Sequence, residues 1–127
     1  MDKTVLVVDD EESIRDSYTA LFRKAGFLVH TAGDALEAQQ VLRDKNVSVA
    51  FLDLNLPGKN GIELCRDIRR HNPMACCFAV TGHKSLFELV DCREAGFEDY
   101  FTKPTSSALL IQAAERAFER LERWKTL

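Results

Sequence analysis

The stretch VSVAFLDLN, which spans residues 47–55, predicts the fold of this chain. Its first part, Val47 to Leu52, is a mostly apolar run, and Asp53 and Asn55 follow that run closely. Apolar runs of this length are typical of strands that are buried on both faces, as in parallel sheets. We therefore expect a buried strand whose carboxyl end carries a carboxylate and an amide.

Comparable runs recur on both sides of this stretch and predict further strands. They are Val5 to Val8, Phe27 to Val29, Ala75 to Val80 and Phe97 to Phe101. The last is the weakest, because it contains Glu98 and Asp99. With Val47 to Leu52, the sequence thus predicts five strands.

The segments between these runs have the apolar spacing of helices. In the first segment, one helix face collects Ile14, Tyr18, Leu21, Phe22 and Ala25. Capping-box signals begin two later helices, with Asp34 before Glu37 and Ser85 before Glu88. A last helix is expected from about Ser106. Its inward face should carry Leu110, Ala114, Ala117 and Leu121.

Alternating strands and helices predict an α/β fold. A (βα)₅ order implies right-handed crossovers and a doubly wound, five-stranded parallel sheet with helices on both faces. The length of 127 residues suits one domain, so residues 1–127 are interpreted as a single unit. In such folds the ligand site lies outside the carboxyl ends of the strands.

Charge and hydropathy exclude several classes of protein. Seventeen Lys and Arg against twenty Asp and Glu give a net charge of −3, which argues against a basic nucleic-acid-binding domain. The longest uninterrupted apolar stretch, Met74 to Val80, is far shorter than the roughly 20 residues of a membrane helix. The amino terminus also lacks the apolar core of a secretory signal, so we expect a cytoplasmic chain.

The four cysteines show no metal-binding or redox pattern. Cys65, Cys76, Cys77 and Cys92 form no C-x-x-C pair and have no zinc-type spacing with the histidines. We expect ordinary core residues, with Cys76 and Cys77 on opposite faces of one strand. Cys92 is expected on a surface helix, where thiol reagents should reach it faster.

A short group of residues, most of them polar, follows each of four predicted strands, and the fold brings these groups to one edge. They are Asp9 and Asp10, then Asp53 and Asn55, then Thr81, Gly82 and His83, and finally Lys103 and Pro104. Clustered carboxylates repel one another unless a cation is present, and hard oxygen ligands favour Mg²⁺. A phosphoryl group is the anion that can bind to a metal, an ammonium, a hydroxyl and backbone N–H groups together. One carboxylate could itself be the nucleophile. Glu11 and Glu12 are interpreted as ordinary helix-start acids.

Other phosphate-binding classes lack their motifs. The six glycines form neither G-x-G-x-x-G nor G-x-x-x-x-G-K-[ST], which argues against dinucleotide and nucleoside triphosphate binding.

At these residues the sequence resembles the receiver domains of bacterial two-component response regulators. The resemblance covers essentially the whole chain and rests on VLVVDDE (5–11), FLDLNLPGKNG (51–61), VTGH (80–83) and DYFTKP (99–104). It implies the flavodoxin-like version of the doubly wound fold. It also implies a phosphorylation-activated signalling switch, which catalyses only its own phosphorylation and dephosphorylation.

The resemblance implies a role for each matched residue. Asp53 would be the phosphoacceptor, taking its phosphoryl group from a histidine kinase. Asp9 and Asp10 would hold Mg²⁺ together with Asp53, with Asp10 as the more direct ligand of the pair. Asn55 would offer its backbone carbonyl to the metal. Lys103 would pair with the phosphoryl oxygens, before a cis peptide bond to Pro104.

The resemblance also implies a switch. Thr81 would turn toward the phosphoryl group, and Tyr100 would follow it from outside to inside. Asn55 and His83 sit where the family tunes dephosphorylation. The surface of the fourth helix, fifth strand and fifth helix would then change for an output domain or a downstream protein. Phe118 and Trp124 lie among charged residues of the last helix, so this surface is expected to form a phosphorylation-promoted homodimer.

Three alternatives remain open at this point. An aspartate-nucleophile phosphatase usually carries D-x-D, whereas Leu54 and Asn55 follow Asp53 here. A flavin-binding protein would share the fold. A degenerate receiver that binds partners without phosphorylation is disfavoured by the intact set of acids, Thr81 and Lys103. The chain is either a stand-alone receiver or part of a longer regulator.

Overall fold

A computed structural model of the chain describes residues 3–82 and 86–126. In these residues five strands alternate with five helices. They are β1 Thr4–Val8, α1 Glu12–Lys24, β2 Leu28–Ala32, α2 Ala35–Asp44, β3 Val49–Leu52, α3 Gly61–His71, β4 Cys76–Thr81, α4 Leu86–Ala95, β5 Phe97–Thr102 and α5 Ser107–Lys125. The predicted (βα)₅ order is confirmed. None of the described helices is long and apolar enough to cross a membrane.

The five strands form one parallel sheet in the order β2-β1-β3-β4-β5. The chain runs from β1 out to β2 and then returns past β1 to β3, so the strand order reverses between β1 and β3. A crevice at the carboxyl ends of the strands is expected at such a reversal. The Asp53 N–H donates to the Val8 carbonyl at 2.9 Å, which joins the two strand ends there.

Two apolar layers cover the sheet. Alternate residues of each strand enter different layers, so that Leu6 and Val8 pack beneath α2 and α3, while Val5 and Val7 pack beneath α1 and α5. The second layer contains a chain of phenylalanine rings, in which the Phe51 and Phe78 rings stack with centroids 4.9 Å apart. This core holds the carboxyl ends of the strands in fixed positions.

Side chains cap two of the helices at their amino termini. Asp34 Oδ1 accepts the Glu37 N–H at 2.8 Å, as the capping signal predicted. Asn60 Oδ1 accepts the Glu63 N–H at 2.9 Å, a cap that the sequence reasoning missed. Ser85, the predicted cap of the fourth helix, lies outside the described residues.

The second strand differs from its prediction. The apolar run Phe27 to Val29 was expected, whereas β2 spans Leu28–Ala32 and includes the polar residues His30 and Thr31. β2 is an edge strand of the sheet and is partly exposed, so it needs no continuous apolar run. Parallel pairing with β1 extends it to Ala32.

The four cysteines are free and buried. Cys77 lies in the layer beneath α2 and α3, and Cys76 lies in the opposite layer, so the predicted opposite faces are confirmed. The expectation for Cys92 was wrong. Its side chain is only 2% exposed and packs against Leu54 and Ala79.

The expected placement of Phe118 was also wrong. Phe118 is buried, and its ring stacks on Phe27 with centroids 5.7 Å apart. It shares the inward face of α5 with Ala114 and Leu121. Trp124 remains on the surface and is 62% exposed.

Candidate functional site

The carboxyl ends of β1, β3 and β5 bring three acids and a lysine together. Carboxylate oxygens of Asp9, Asp10 and Asp53 lie within 4.8 Å of one another. The Lys103 ammonium donates to Asp9 Oδ2 at 2.6 Å and to Asp53 Oδ2 at 3.2 Å. Lys103 is therefore a bridge between the first and third strand ends.

Asp9 is only 3% exposed, and the fold uses each of its polar atoms. Its N–H donates to the Ala32 carbonyl at 3.1 Å, and its own carbonyl accepts from Arg15 at 2.9 Å. The Glu11 N–H donates to Asp9 Oδ1 at 3.0 Å, while Oδ2 faces Lys103. These contacts hold the carboxylate in one orientation.

Asp53 is 7% exposed and sits between two donors. Its Oδ1 accepts the N–H of Asn55 at 3.0 Å, and its Oδ2 faces Lys103. Burial raises the pKa of the Asp53 carboxyl, and the neighbouring charge of Asp9 adds to this; the Asn55 N–H and Lys103 oppose the rise only in part. The ionised form of the Asp53 carboxyl is therefore less well stabilised at this site than in water.

Lys103 remains charged although it is partly buried. Burial by itself lowers the pKa of the ammonium, but the hydrogen bond to Asp9 and the charge of Asp53 outweigh it, so the pKa is raised. The Lys103 N–H also donates to the Thr81 carbonyl at 2.8 Å, and the peptide bond to Pro104 is cis.

Asp10 has a different environment from Asp9. Its side chain is exposed, and within the described residues no hydrogen bond or ion pair holds it. The site therefore has one exposed carboxylate beside two buried ones. Three carboxylates that approach this closely are a donor set for a hard divalent cation. The residues present thus fit Mg²⁺, with Asp9, Asp10 and Asp53 as the side chains that would hold it.

Thr81 and Asn55 form the next part of the site. Thr81 is fully buried at the end of β4, and its hydroxyl accepts from the Asn55 side-chain amide at 3.4 Å. The Asn55 backbone N–H also contacts Asp53, so this residue connects the carboxylate to the hydroxyl. His83 lies outside the described residues.

Tyr100 lies on β5 and packs beside Leu54, Ala79 and Cys92. Burial raises its pKa to about 12, and the carboxylate of Glu88 on α4, which its phenol hydrogen-bonds, adds to the rise. The predicted aromatic switch residue is thus joined to α4. Sequence reasoning had not singled out Glu88 for this contact.

Sequence reasoning missed two further contributors to the site. Arg15 contacts the Asp9 carbonyl from α1, and no motif among the quoted segments includes it. Gly61 begins α3 so close to β3 that an added Cβ would lie 2.2 Å from the Asp53 carbonyl oxygen. The second G of LPGKNG was the available signal for this close approach.

The chain is similar in sequence and structure to known receiver domains. The family profile described as response regulator receiver domain matches residues 5–115. The Aerobic respiration control protein ArcA of Escherichia coli K12 is 33% identical over 116 residues, which cover 91% of this chain and 48% of ArcA. The chain therefore spans about half the length of the curated relatives that it matches.

Solved structures give the same result. A CheY-like receiver domain protein from Methanospirillum hungatei superposes with a TM-score of 0.89 at 29% identity, covering 97% of this chain and 99% of that one. NtrX from Brucella abortus superposes with a TM-score of 0.89 at 32% identity, covering 99% of this chain and 30% of NtrX. With the profile match over most of its length, the chain belongs to the receiver domain family of two-component response regulators.

Proposed function

We propose that residues 1–127 are one receiver domain that acts as a phosphorylation-activated switch, with Asp53 as the phosphoacceptor. The observation that carries this proposal is the buried Asp53 carboxylate between Lys103 and the Asp9–Asp10 pair. A histidine kinase would supply a phosphohistidine. A carboxylate oxygen of Asp53 would bond to phosphorus as the phosphorus–nitrogen bond breaks, and the electron pair would leave with the imidazole nitrogen.

The residues of the site divide this work. Lys103 would pair with the transferred phosphoryl oxygens, since its ammonium already lies 3.2 Å from Asp53. The Asn55 N–H holds the second carboxylate oxygen, which keeps Asp53 oriented. Asp9, Asp10, Asp53 and the Asn55 carbonyl would hold Mg²⁺. When bound, the metal supplies positive charge that offsets the phosphoryl oxygens. In this proposal the domain catalyses only its own phosphorylation and dephosphorylation.

Phosphorylation of Asp53 is directly testable. Incubation with Mg²⁺ and acetyl phosphate should add one acid-stable, base-labile phosphoryl group, detected by intact mass. Asp53→Asn should abolish the gain, whereas Asp16→Asn, an exposed acid on α1, should leave it intact. Phosphorylation of Asp53→Asn at the wild-type rate would contradict the assignment of the phosphoacceptor. An unchanged wild-type rate in chelator would contradict the role of Mg²⁺.

The proposed switch couples phosphorylation of the Asp53 carboxylate to a change at the surface of α4. A phosphoryl group on Asp53 would draw the Thr81 hydroxyl away from Asn55 and toward itself. The space left by Thr81 would admit Tyr100, which would break the contact of its phenol with Glu88 on α4. Such a change is a shift between two states, of which the active one exists as a minority before phosphorylation.

The surface of α4, β5 and α5 is the proposed readout. It exposes Val90 on α4 and Leu109 on α5, which are 48% and 50% accessible. Arg120 of α5 and Glu98 of β5 form an ion pair at 3.3 Å on the same side. We propose that an output domain, a downstream protein or a second copy binds here after phosphorylation, in the cytoplasm where a histidine kinase would act. No direct contact with nucleic acid or membrane is proposed for this domain.

Homodimerisation is the outcome that sedimentation tests. With beryllofluoride and Mg²⁺ the chain should sediment as a dimer, and without them as a monomer. Val90→Asp should keep it monomeric in both conditions, whereas Leu36→Asp, which changes an exposed leucine on α2, should not. A monomer in both conditions would contradict homodimerisation, and the switch would then act on other partners. Equal dimerisation in both conditions would show that phosphorylation does not regulate the dimer.

A further inference from the structure

Arg15 makes a contact at the site that the proposed chemistry does not use. It lies near the start of α1, and its Nη1 donates to the main-chain carbonyl of Asp9 at 2.9 Å. Asp9 follows the last residue of β1, and its carbonyl lies just before the exposed Asp10. A side chain of α1 thus holds the turn that presents both acids.

The neighbouring loop leaves room for this guanidinium. Gly33 follows β2, and a Cβ added there would lie 3.3 Å from Arg15 Nη1 and 3.7 Å from the Glu37 carboxylate. The Gly33 N–H donates to the other Glu37 oxygen at 3.0 Å, which holds the loop in place. Arg15 is therefore packed between two fixed segments of the fold.

Holding the Asp9 carbonyl has a consequence for Asp10. The carbonyl belongs to the planar peptide group that leads into Asp10, so fixing it fixes the plane from which Asp10 continues. The Asp9 N–H is also held, by the Ala32 carbonyl. Within the described residues no hydrogen bond orients the Asp10 side chain, so its direction depends on this backbone.

We propose that Arg15 is a positioning residue for the divalent-cation site, acting through the Asp9–Asp10 peptide rather than by touching the ion. This inference rests on the proposed function, because it assumes that Asp10 is a ligand of the metal. Groups that orient metal ligands without contacting the metal commonly change its affinity by about 10- to 100-fold when they are removed.

The charge of Arg15 makes the test discriminating. A guanidinium repels a divalent cation, so Coulomb's law alone predicts that removing it strengthens Mg²⁺ binding. Positioning predicts the opposite sign. Arg15→Ala should therefore weaken the binding of Mg²⁺ to the unphosphorylated chain by about tenfold.

Isothermal titration with Mg²⁺ measures this directly on the full chain. Arg23→Ala, which removes an exposed arginine from the same helix, should leave the dissociation constant unchanged. Arg15→Lys keeps a charged donor and should recover part of the affinity. Gly33→Ala leaves the acids and Arg15 in place but crowds the guanidinium, so it should also weaken binding. If Arg15→Ala does not fold, the Mg²⁺ affinity of Gly33→Ala tests the positioning role instead.

The outcomes separate this inference from the proposed function. Wild-type or tighter binding in both Arg15→Ala and Gly33→Ala would overturn the positioning role while leaving phosphorylation of Asp53 intact. Slow phosphorylation of Arg15→Ala from acetyl phosphate that recovers at saturating Mg²⁺ would support it, because the loss would then lie in metal affinity. A wild-type chain that binds no Mg²⁺ would overturn both.

Discussion

At the scale of single residues, the carboxylates of Asp9 and Asp53 share the ammonium group of Lys103. The Lys103 ammonium is closer to Asp9, at 2.6 Å, than to Asp53, at 3.2 Å. Both carboxylates are almost fully buried, so each depends on this ammonium for its balancing charge. Removing one partner of a buried pair leaves an uncompensated charge, which costs more than the pair itself contributes.

We therefore expect Lys103→Met to lower the free energy of unfolding by about 3 kcal/mol at neutral pH without metal. The methionine keeps the apolar stem and removes only the charge. Mg²⁺ should restore more stability to this variant than to wild type, because the three carboxylates of Asp9, Asp10 and Asp53 then lack the lysine ammonium that balances their charge. Urea denaturation with and without Mg²⁺ measures both effects.

Lys59→Met is the matched control for this prediction. Lys59 also pairs with an aspartate, Asp67, but its side chain is 38% exposed. Its removal should cost less than about 1 kcal/mol, with no dependence on Mg²⁺. Equal losses in the two variants would show that burial of the pair at Lys103 has no special cost.

At the scale of elements, the start of α3 is pressed against the end of β3. The Gly61 N–H donates to the Leu54 carbonyl at 3.2 Å. A Cβ at Gly61 would lie 2.2 Å from the Asp53 carbonyl oxygen and 2.9 Å from its carbonyl carbon, both of which are backbone atoms. Only the absence of a side chain permits this approach, and it fixes the position from which Asp53 extends.

Gly61→Ala should therefore destabilise the fold by about 1–3 kcal/mol, as overpacking does, and should also slow phosphorylation of Asp53. Gly82→Ala is the control for stability, since nothing lies within 4 Å of a Cβ there. Thermal unfolding and the acetyl phosphate rate together test the prediction. A Gly61→Ala chain with the wild-type rate would show that α3 does not position the acceptor.

The burial of Cys92 is a second feature at this scale. α4 carries apolar residues on more than one side, with Val90 exposed and Cys92 and Ala95 buried. Packing of α4 against the sheet selects the side that carries Cys92. Burial raises the pKa of this thiol to about 11, and nearby Glu88 adds to the rise, which keeps it in the unreactive thiol form.

All four thiols should consequently react slowly with Ellman's reagent in the native chain, at rates limited by opening of the fold. Urea should release them together, at the concentration where the circular dichroism signal is lost. Cys92→Ser should not change the slow native rate per remaining thiol. A fast phase before unfolding that disappears in Cys92→Ser would contradict the buried position of Cys92.

At the scale of the whole molecule, several groups make stability depend on alkaline pH. Burial raises the pKa of the Tyr18 phenol and of the Cys76 and Cys92 thiols, and Lys103 and Tyr100 belong to the same set. The pKa of Lys103 is raised from 10.5, and that of Tyr100 is raised from 10.0 to about 12. Both groups hold their protons more tightly in the folded chain. Their contributions are fully present below the unfolded pKa values and are lost as pH rises through the folded ones.

The melting temperature should therefore fall as the pH rises above about 10, beyond the decline expected from net charge alone. Tyr100→Phe should reduce the steepness of this fall, because it removes the titration of the tyrosine. Calorimetry between pH 8 and pH 11.5 gives the comparison. If the melting temperature of Tyr100→Phe falls with pH as steeply as that of wild type, the titration of Tyr100 does not contribute to this pH dependence.

Local patterns in the sequence determined most of the architecture. Apolar runs and helical spacing predicted the strands, the helices and their parallel arrangement, because burial on two faces leaves a signal within each short segment. The carboxyl ends of the strands then placed Asp9, Asp10, Asp53 and Lys103 at one edge. These predictions needed no knowledge of which side chains touch.

Packing between distant segments decided the remaining features. Lys103 meets Asp9 across 94 positions of the chain, and no local pattern ranks that contact above the one with Asp53. The sides of α4 and α5 that carry Cys92 and Phe118 became buried only because the sheet lies beneath them. The sequence therefore determined which residues reach the edge of the sheet, whereas the tertiary structure decided which of them pair, because pairing depends on distances that only the packed layers set.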